Sequence, residues 1–307
     1  MPQVNRDDQL LGLCKENFLA QDWYGKAAQA ATTLVTTLFF IVTQKLKVAL
    51  GFEPDRANLG RLTTVIPGRI YQQTSFGGNT QCTVLMNRKK DGLLIYIPAR
   101  ITKEFRQDIE NLNAKVQFIV AHNEFHETFA DDAKKAWPDA EVLTPKGGED
   151  AVGEAVAIDA TLEDRWEVLE KDFGFIKMFR FDENSRCKTE RSYLLDLFDD
   201  DDNSKQKQCL FVAQCGMGHY KKFYPHVWLT GFQQLLNPRG RCFRHYYVSF
   251  VVDKDAMHPY WVNMVTSSDN LHAAIFTHGD SILGTDTKRQ LLGFYSFGDC
   301  CSKAKKL

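Results

Sequence analysis

A charge excess of either sign is the first thing this sequence lacks. Its 38 basic and 39 acidic side chains leave a net charge of −1 over 307 residues. Nucleic-acid partners leave a basic excess or stripe, so this balance argues against DNA or RNA. Paired cysteines are missing as well. Cys14, Cys82, Cys187, Cys209, Cys215, Cys242, Cys300 and Cys301 are irregularly spaced, without a Cys-x-x-Cys pair, and do not form a disulfide framework. No Asn-x-Ser/Thr acceptor occurs, and the start does not run from charge into a short apolar core and cleavage site. The expectation is an intracellular, cytoplasmic protein. Common catalytic signatures are also absent. There is no Gly-x-Ser-x-Gly elbow and no Walker-type Gly-Lys-Ser/Thr, and Gly216-Met-Gly218 lacks the third glycine of a dinucleotide loop.

One long stretch lacks charge altogether. Ala27 to Gln44 carries none, and Ala31, Leu34, Leu38, Val42 and Leu46 fall on a single helical stripe. Seven of its positions are Thr or Gln, whereas a membrane span needs roughly 20 predominantly apolar residues. Residues 1–61 therefore read as a helical segment whose helix, 27–49, docks on the domain or on a partner. With Lys45 and Lys47 at its end, peripheral contact with a membrane surface is the alternative.

After Pro54 the composition changes. Arg61 to Ser75 is rich in Thr, Val, Ile and Tyr and broken at Pro67-Gly68, which predicts two strands. Thr80–Met86 and Leu93–Ile97 are strands around an Asp91-Gly92 turn. Phe105, Ile109 and Leu112 predict an amphipathic helix over 102–114, followed by a strand at 116–121. Helix 130–137 stops at Pro138, and strand 141–144 follows. Lys146 to Asp150 reads as a surface loop, and Phe173–Phe181, Tyr193–Phe198, Cys209–Ala213 and Ala273–Thr277 as strands. Helices are expected around Phe232–Leu236, Trp261–Val265 and Leu291–Tyr295, while 246–252 reads as strand or buried helix. Asp199–Lys207 lacks the glycine and glutamate of a calcium loop and reads as a solvated linker. Strand–helix alternation of this kind is the pattern of a layered α/β fold.

Chemistry concentrates where the 116–121 strand breaks into Ala121-His-Asn-Glu-Phe-His-Glu127. Strand ends that carry ligand-type side chains are where α/β folds present their sites. His122 and His126 are spaced i, i+4, and Glu124, Glu127, Asp131 and Asp132 could complete a metal site. First-turn acidic residues are also common for dipole reasons alone. A second strand, 273–277, ends in His278-Gly279-Asp280. A weaker set is Cys215, His219, Cys242 and His245, for which buried inert cysteine is the commoner fate.

Asn79-Thr-Gln-Cys-Thr-Val-Leu, then Asp91-Gly-Leu-Leu-Ile-Tyr-Ile-Pro98, a helix, and Val116-Gln-Phe-Ile-Val-Ala-His-Asn together resemble the first half of the metallo-β-lactamase fold. More closely, they resemble a divergent, uncharacterised lactamase-like branch whose strand leads into Pro-Asn-x-x-His-His. The resemblance spans residues 62–297 and leaves 298–307 as a basic tail. It implies an αββα sandwich with an added N-terminal helical segment. It also implies an eroded metal motif. Asn123 stands where the first histidine of the main motif would be, Glu127 replaces the second histidine of the branch motif, and Gln214 replaces the bridging carboxylate. Of the two-metal positions, His126 and His278 are retained. The residues implied as metal ligands are His126, His278, His122 and Asp280, with Glu127 and Asp131 as catalytic carboxylates. The implied cofactor is one zinc, iron or manganese ion, or none. Two functions follow as expectations: a single-metal hydrolase of a small ester, thioester or phosphoester, or a catalytically inactive descendant that binds a ligand, a membrane or a protein. The small molecule itself is not named by the sequence.

Overall fold

A computed structural model describes residues 60–74, 81–122, 129–185, 189–198, 206–213, 216–217, 241–242, 253 and 256–294. These all belong to one compact unit, Arg56–Tyr295. The helix expected over 27–49, the tail 298–307, the helix around 232–236, the run 246–252 and most of the acidic linker lie outside the described residues.

The described chain forms an αββα sandwich. Seven strands make the first sheet, paired in chain order: β1 (Leu62–Ile66), β2 (Ile70–Thr74), β3 (Gln81–Met86), β4 (Gly92–Tyr96), β5 (Lys115–Val120), β6 (Glu141–Thr144) and β7 (Ala160–Thr161). The first four are antiparallel, as the Pro67-Gly68 and Asp91-Gly92 turns require. From β4 to β7 the pairing is parallel, and each crossover carries a helix. These helices are α1 (Lys103–Glu110), α2 (Ala130–Ala136) and α3 (Glu149–Gly153). Helix α1 starts at Thr102, whose hydroxyl accepts from the Phe105 amide at 3.0 Å. Its buried Phe105 and Ile109 face Val84, Leu93, Ile95 and Val116 on the outer side of the sheet.

After α4 (Trp166–Phe173) come β8 (Phe175–Arg180), β9 (Arg191–Asp196) and β10 (Gln208–Val212). A two-stranded pair, β11 (Gly216–Met217) with β12 (Arg241–Cys242), stands apart from the main sheets. Helix α5 (Met257–Thr266) leads into β13 (Leu271–Phe276) and β14 (Ile282–Leu283), and α6 (Thr287–Phe294) packs back on β13. The second sheet is ordered β14-β13-β10-β9-β8. The indole N–H of Trp261 on α5 donates to the Leu291 carbonyl on α6 at 2.8 Å, which ties the two helices of this outer layer together.

Two sequence expectations change. Lys146–Asp150 is not simply a loop, because Glu149 and Asp150 open α3. Phe173 does not begin a strand but ends α4, where the left-handed Gly174 (φ 67) caps the helix before β8. Leu169 and Phe173, one turn apart, bury this helix in the inter-sheet core.

That core is built from alternating residues of both sheets. Leu94, Tyr96, Phe118, Val120 and Leu143 meet Phe175, Tyr193, Leu195, Phe211 and Ile275. At the rim where β4 and β5 begin, Arg69 closes it. This side chain is 2% exposed and donates to the carbonyl oxygens of Met86, Phe173 and Asp196, the last at 3.2–3.3 Å. The Phe198 ring lies against it, 4.3 Å from the guanidinium carbon. Burial brings the Arg69 pKa down to about 10, so it remains a cation at neutral pH. Replacing Arg69 with Met keeps the apolar stem but leaves three buried carbonyls short of donors. We expect a loss of about 3 kcal/mol or more in urea unfolding. A variant as stable as the parent would show that the arginine does not close this rim.

Candidate functional site

The opposite rim, where β4, β5 and β6 end, carries the polar cluster. Strand register puts Tyr96 beside Val120, and the Ile97 amide donates to the Val120 carbonyl at 2.9 Å. Val120 lies in the inter-sheet core, so His122, two residues on, faces the same way. His122 is fully buried, and its Nδ1 shares a 2.5 Å hydrogen bond with the Tyr96 hydroxyl. Its Nε2 has no hydrogen-bond partner among the described residues. Across the core stands Tyr193 of β9, ring centroid 6.0 Å from that of Tyr96. The Tyr193 hydroxyl is buried and has no hydrogen-bond partner among the described residues. Burial, first of all, raises Tyr96 well above the usual phenol range, and the Tyr193 and Glu190 fields add to it.

Arg191 opens β9 at this rim and is 1% exposed. Its guanidinium donates to the carbonyls of Lys146 and Glu190, both at 3.2 Å, and lies 3.7 Å from a Glu163 oxygen. Backbone geometry marks the same place. Ile97, just before Pro98, has φ 54, a left-handed conformation that costs a β-branched residue about 1–2 kcal/mol. Strained backbone of this kind collects at functional sites.

Strand β13 ends at the same rim. The Gln81 amide donates to Thr277 O at 2.7 Å, and the Thr277 hydroxyl donates to Ala213 O at 2.5 Å. His278 follows, 4% exposed, and then Asp280, half-buried. Gln72 on β2 stitches the sheets here, donating to the Phe276 carbonyl at 3.2 Å and accepting from Ser281 at 2.8 Å.

Of the expected site residues, the structure brings His122, His278 and Asp280 to one rim. Asp131 sits in the first turn of α2 and pairs with Lys135 at 2.5 Å on the helix surface. His126 and Glu127 lie outside the described residues, as do Cys215, His219 and His245 of the weaker set. Of that set, Cys242 is described, on β12 opposite Gly216 of β11. Among the described residues, no three His, Cys, Asp or Glu side chains converge as a metal site would require. The described residues alone therefore do not complete a metal site. Sequence reading did not single out Tyr96, Tyr193, Glu190 or Arg191. The available signal was Glu190-Arg191 abutting the apolar run that starts at Tyr193.

No family model matches the sequence, and no curated protein matches it significantly. Solved structures do. One is a metallo-β-lactamase from Pontibacter korlensis, 11% identical over 76% of this chain and 97% of that chain, TM-score 0.42. Another is a metallo-β-lactamase from Elizabethkingia meningoseptica, 14% identical over 79% and 92%, TM-score 0.39. A third is a stereoselective inverting sec-alkylsulfatase from Pseudomonas sp., 14% identical over 76% of this chain and 40% of that chain, TM-score 0.42. These are the structures this chain is similar to; its described residues form a two-sheet αββα sandwich. No helix among the described residues is long and apolar enough to cross a membrane.

His122 also sets a pH dependence. Burial, then the nearby Arg191 charge, brings its pKa from 6.5 down to about 3. Between those values the unfolded chain binds a proton that the folded chain refuses. The stability tied to the neutral ring is thus fully present above about pH 6.5 and is lost as pH falls toward 3. Urea midpoints should fall from pH 6.5 to 4, with a His122 share of about 1.4 kcal/mol per pH unit. His122→Gln should remove that share. Parallel pH profiles for parent and variant would rule it out.

Proposed function

We propose that the rim carrying His122 is a small-molecule pocket, and that the protein is a diverged metallo-β-lactamase-fold protein that binds its ligand without the two-metal centre. The observation that carries this reading is the state of His122. It stands at the strand end where the fold's metal motif begins, yet it is buried, neutral and exposed to the field of Arg191. The Arg191 charge acts on this ring, and a neutral or negatively polarised ligand group meets no like-sign repulsion there.

A second reading has its own support. The unpartnered Nε2 of His122 is the kind of nitrogen a metal takes, and a Tyr96-held Nδ1 is the kind of support such ligands have. On that reading the protein is a single-metal hydrolase of a small ester, thioester or phosphoester. His122, His126, His278 and Asp280 would hold a zinc, iron or manganese ion. Bound there, the metal would supply a hydroxide at neutral pH.

Metal analysis of the full chain, purified without chelator, separates the two. We expect well below one zinc, iron or manganese ion per chain, with His126→Ala and His278→Ala no different in metal content. Stoichiometric metal that either substitution abolishes would overturn the binding-pocket reading in favour of the hydrolase.

A further inference from the structure

Which ring nitrogen of His122 carries the proton decides what the rim can hold, and the Tyr96 contact bears on it directly. Two arrangements fit the 2.5 Å contact between the Tyr96 hydroxyl and Nδ1. Either the phenol O–H donates to an imidazole lone pair, or an imidazole N–H donates to the phenol oxygen. The first joins the better donor to the better acceptor. A phenol is an acid with an ordinary pKa of about 10, far stronger than a neutral imidazole N–H. The imidazole lone pair is far more basic than a phenol oxygen, whose electrons are shared with its ring. Both side chains are buried, Tyr96 to 1% and His122 to 0% exposure, so water does not compete and the intrinsic preference decides.

Resting on the pocket reading above, we propose that Tyr96 donates to Nδ1 and holds His122 as its Nε2–H tautomer. His122 then acts as a neutral hydrogen-bond donor whose ligand presents an electron-rich oxygen, as a carboxylate, phosphoryl or carbonyl group does. Three observations converge on this. Nε2 is buried and has no hydrogen-bond partner among the described residues, so a hydrogen there still lacks an acceptor. The charge acting on the ring is the positive one of Arg191, and it favours a negatively polarised atom there. Glu190, the buried carboxylate next in sequence, acts on the Tyr96 end of the pair. Neutral imidazole used in this way polarises carbonyl and oxyanion groups without offering a proton to water.

The test is nitrogen NMR on the full chain with 15N-labelled histidine, using His122→Gln to assign the ring. Two-bond proton–nitrogen correlations report which nitrogen is protonated. We expect a protonated Nε2 and a bare Nδ1 at neutral pH. Titration with inorganic phosphate, and separately with acetate, should shift the His122 Nε2–H resonance saturably. Added zinc should not. Tyr96→Phe should shift the tautomer toward Nδ1–H and weaken phosphate binding about tenfold, the effect of losing one hydrogen bond's positioning. If Tyr96→Phe fails to fold, the parent spectrum still decides the tautomer. A protonated Nδ1 would overturn the proposal, and so would a His122 resonance indifferent to both anions. Stoichiometric metal elsewhere on the rim, with His122 still protonated at Nε2, would sink the metal-free reading and leave the donor assignment standing.

Discussion

A guanidinium placed between two apolar sheets has to find oxygen acceptors on every side, and meeting that demand fixes much of this fold. Arg69 finds them on the β3 end, the α4 end and the β9 end, which are distant in sequence and adjacent only when the sandwich is closed. The arginine is thus satisfied in the assembled state alone, and it couples the hairpin half of the first sheet to the second sheet. Strand β9 carries the same problem at its other end. There Arg191 is buried at the rim of the candidate site and answered by backbone carbonyls and Glu163. One strand therefore bears a buried polar closure at each end, with Tyr193, Leu194 and Leu195 fully packed between them.

The two closures differ in consequence. Around Arg69 the polar groups are saturated by carbonyls and an aromatic ring, which suits a purely structural role. At the His122 rim the accounting is incomplete. The imidazole has one nitrogen engaged and one without a hydrogen-bond partner among the described residues, and Ile97 is held in a strained conformation next to it. An imbalance of this sort is tolerated where something else completes it, and it distinguishes this rim from the other.

Much of the fold was legible because turn residues and periodicity agree along the first half of the chain. Pro67-Gly68 and Asp91-Gly92 delimit the hairpins, and Phe105 with Ile109 reveals the first crossover helix. The α4 segment was harder to read. Its apolar positions, Trp166, Leu169 and Phe173, run straight into the equally apolar β8, and the boundary lies in the left-handed backbone of a single glycine. The site was half legible. Histidines at strand ends announce themselves, but Tyr96 and Tyr193 look like ordinary core aromatics. Arg191 looks like a solvated charge until the fold shows it 1% exposed. Sequence reveals residue type and period; it does not reveal which polar atom lacks a partner.

The stitches across the sandwich carry one more consequence. Gln72 bonds from the first sheet to the backbone of β13, the Gln81 amide meets Thr277, and Ser281 returns to Gln72. These bonds tie the β2–β3 end of the first sheet to the end of β13, so variation falls more easily on the segments that join the strand ends, where length and composition can change without unpicking the sandwich.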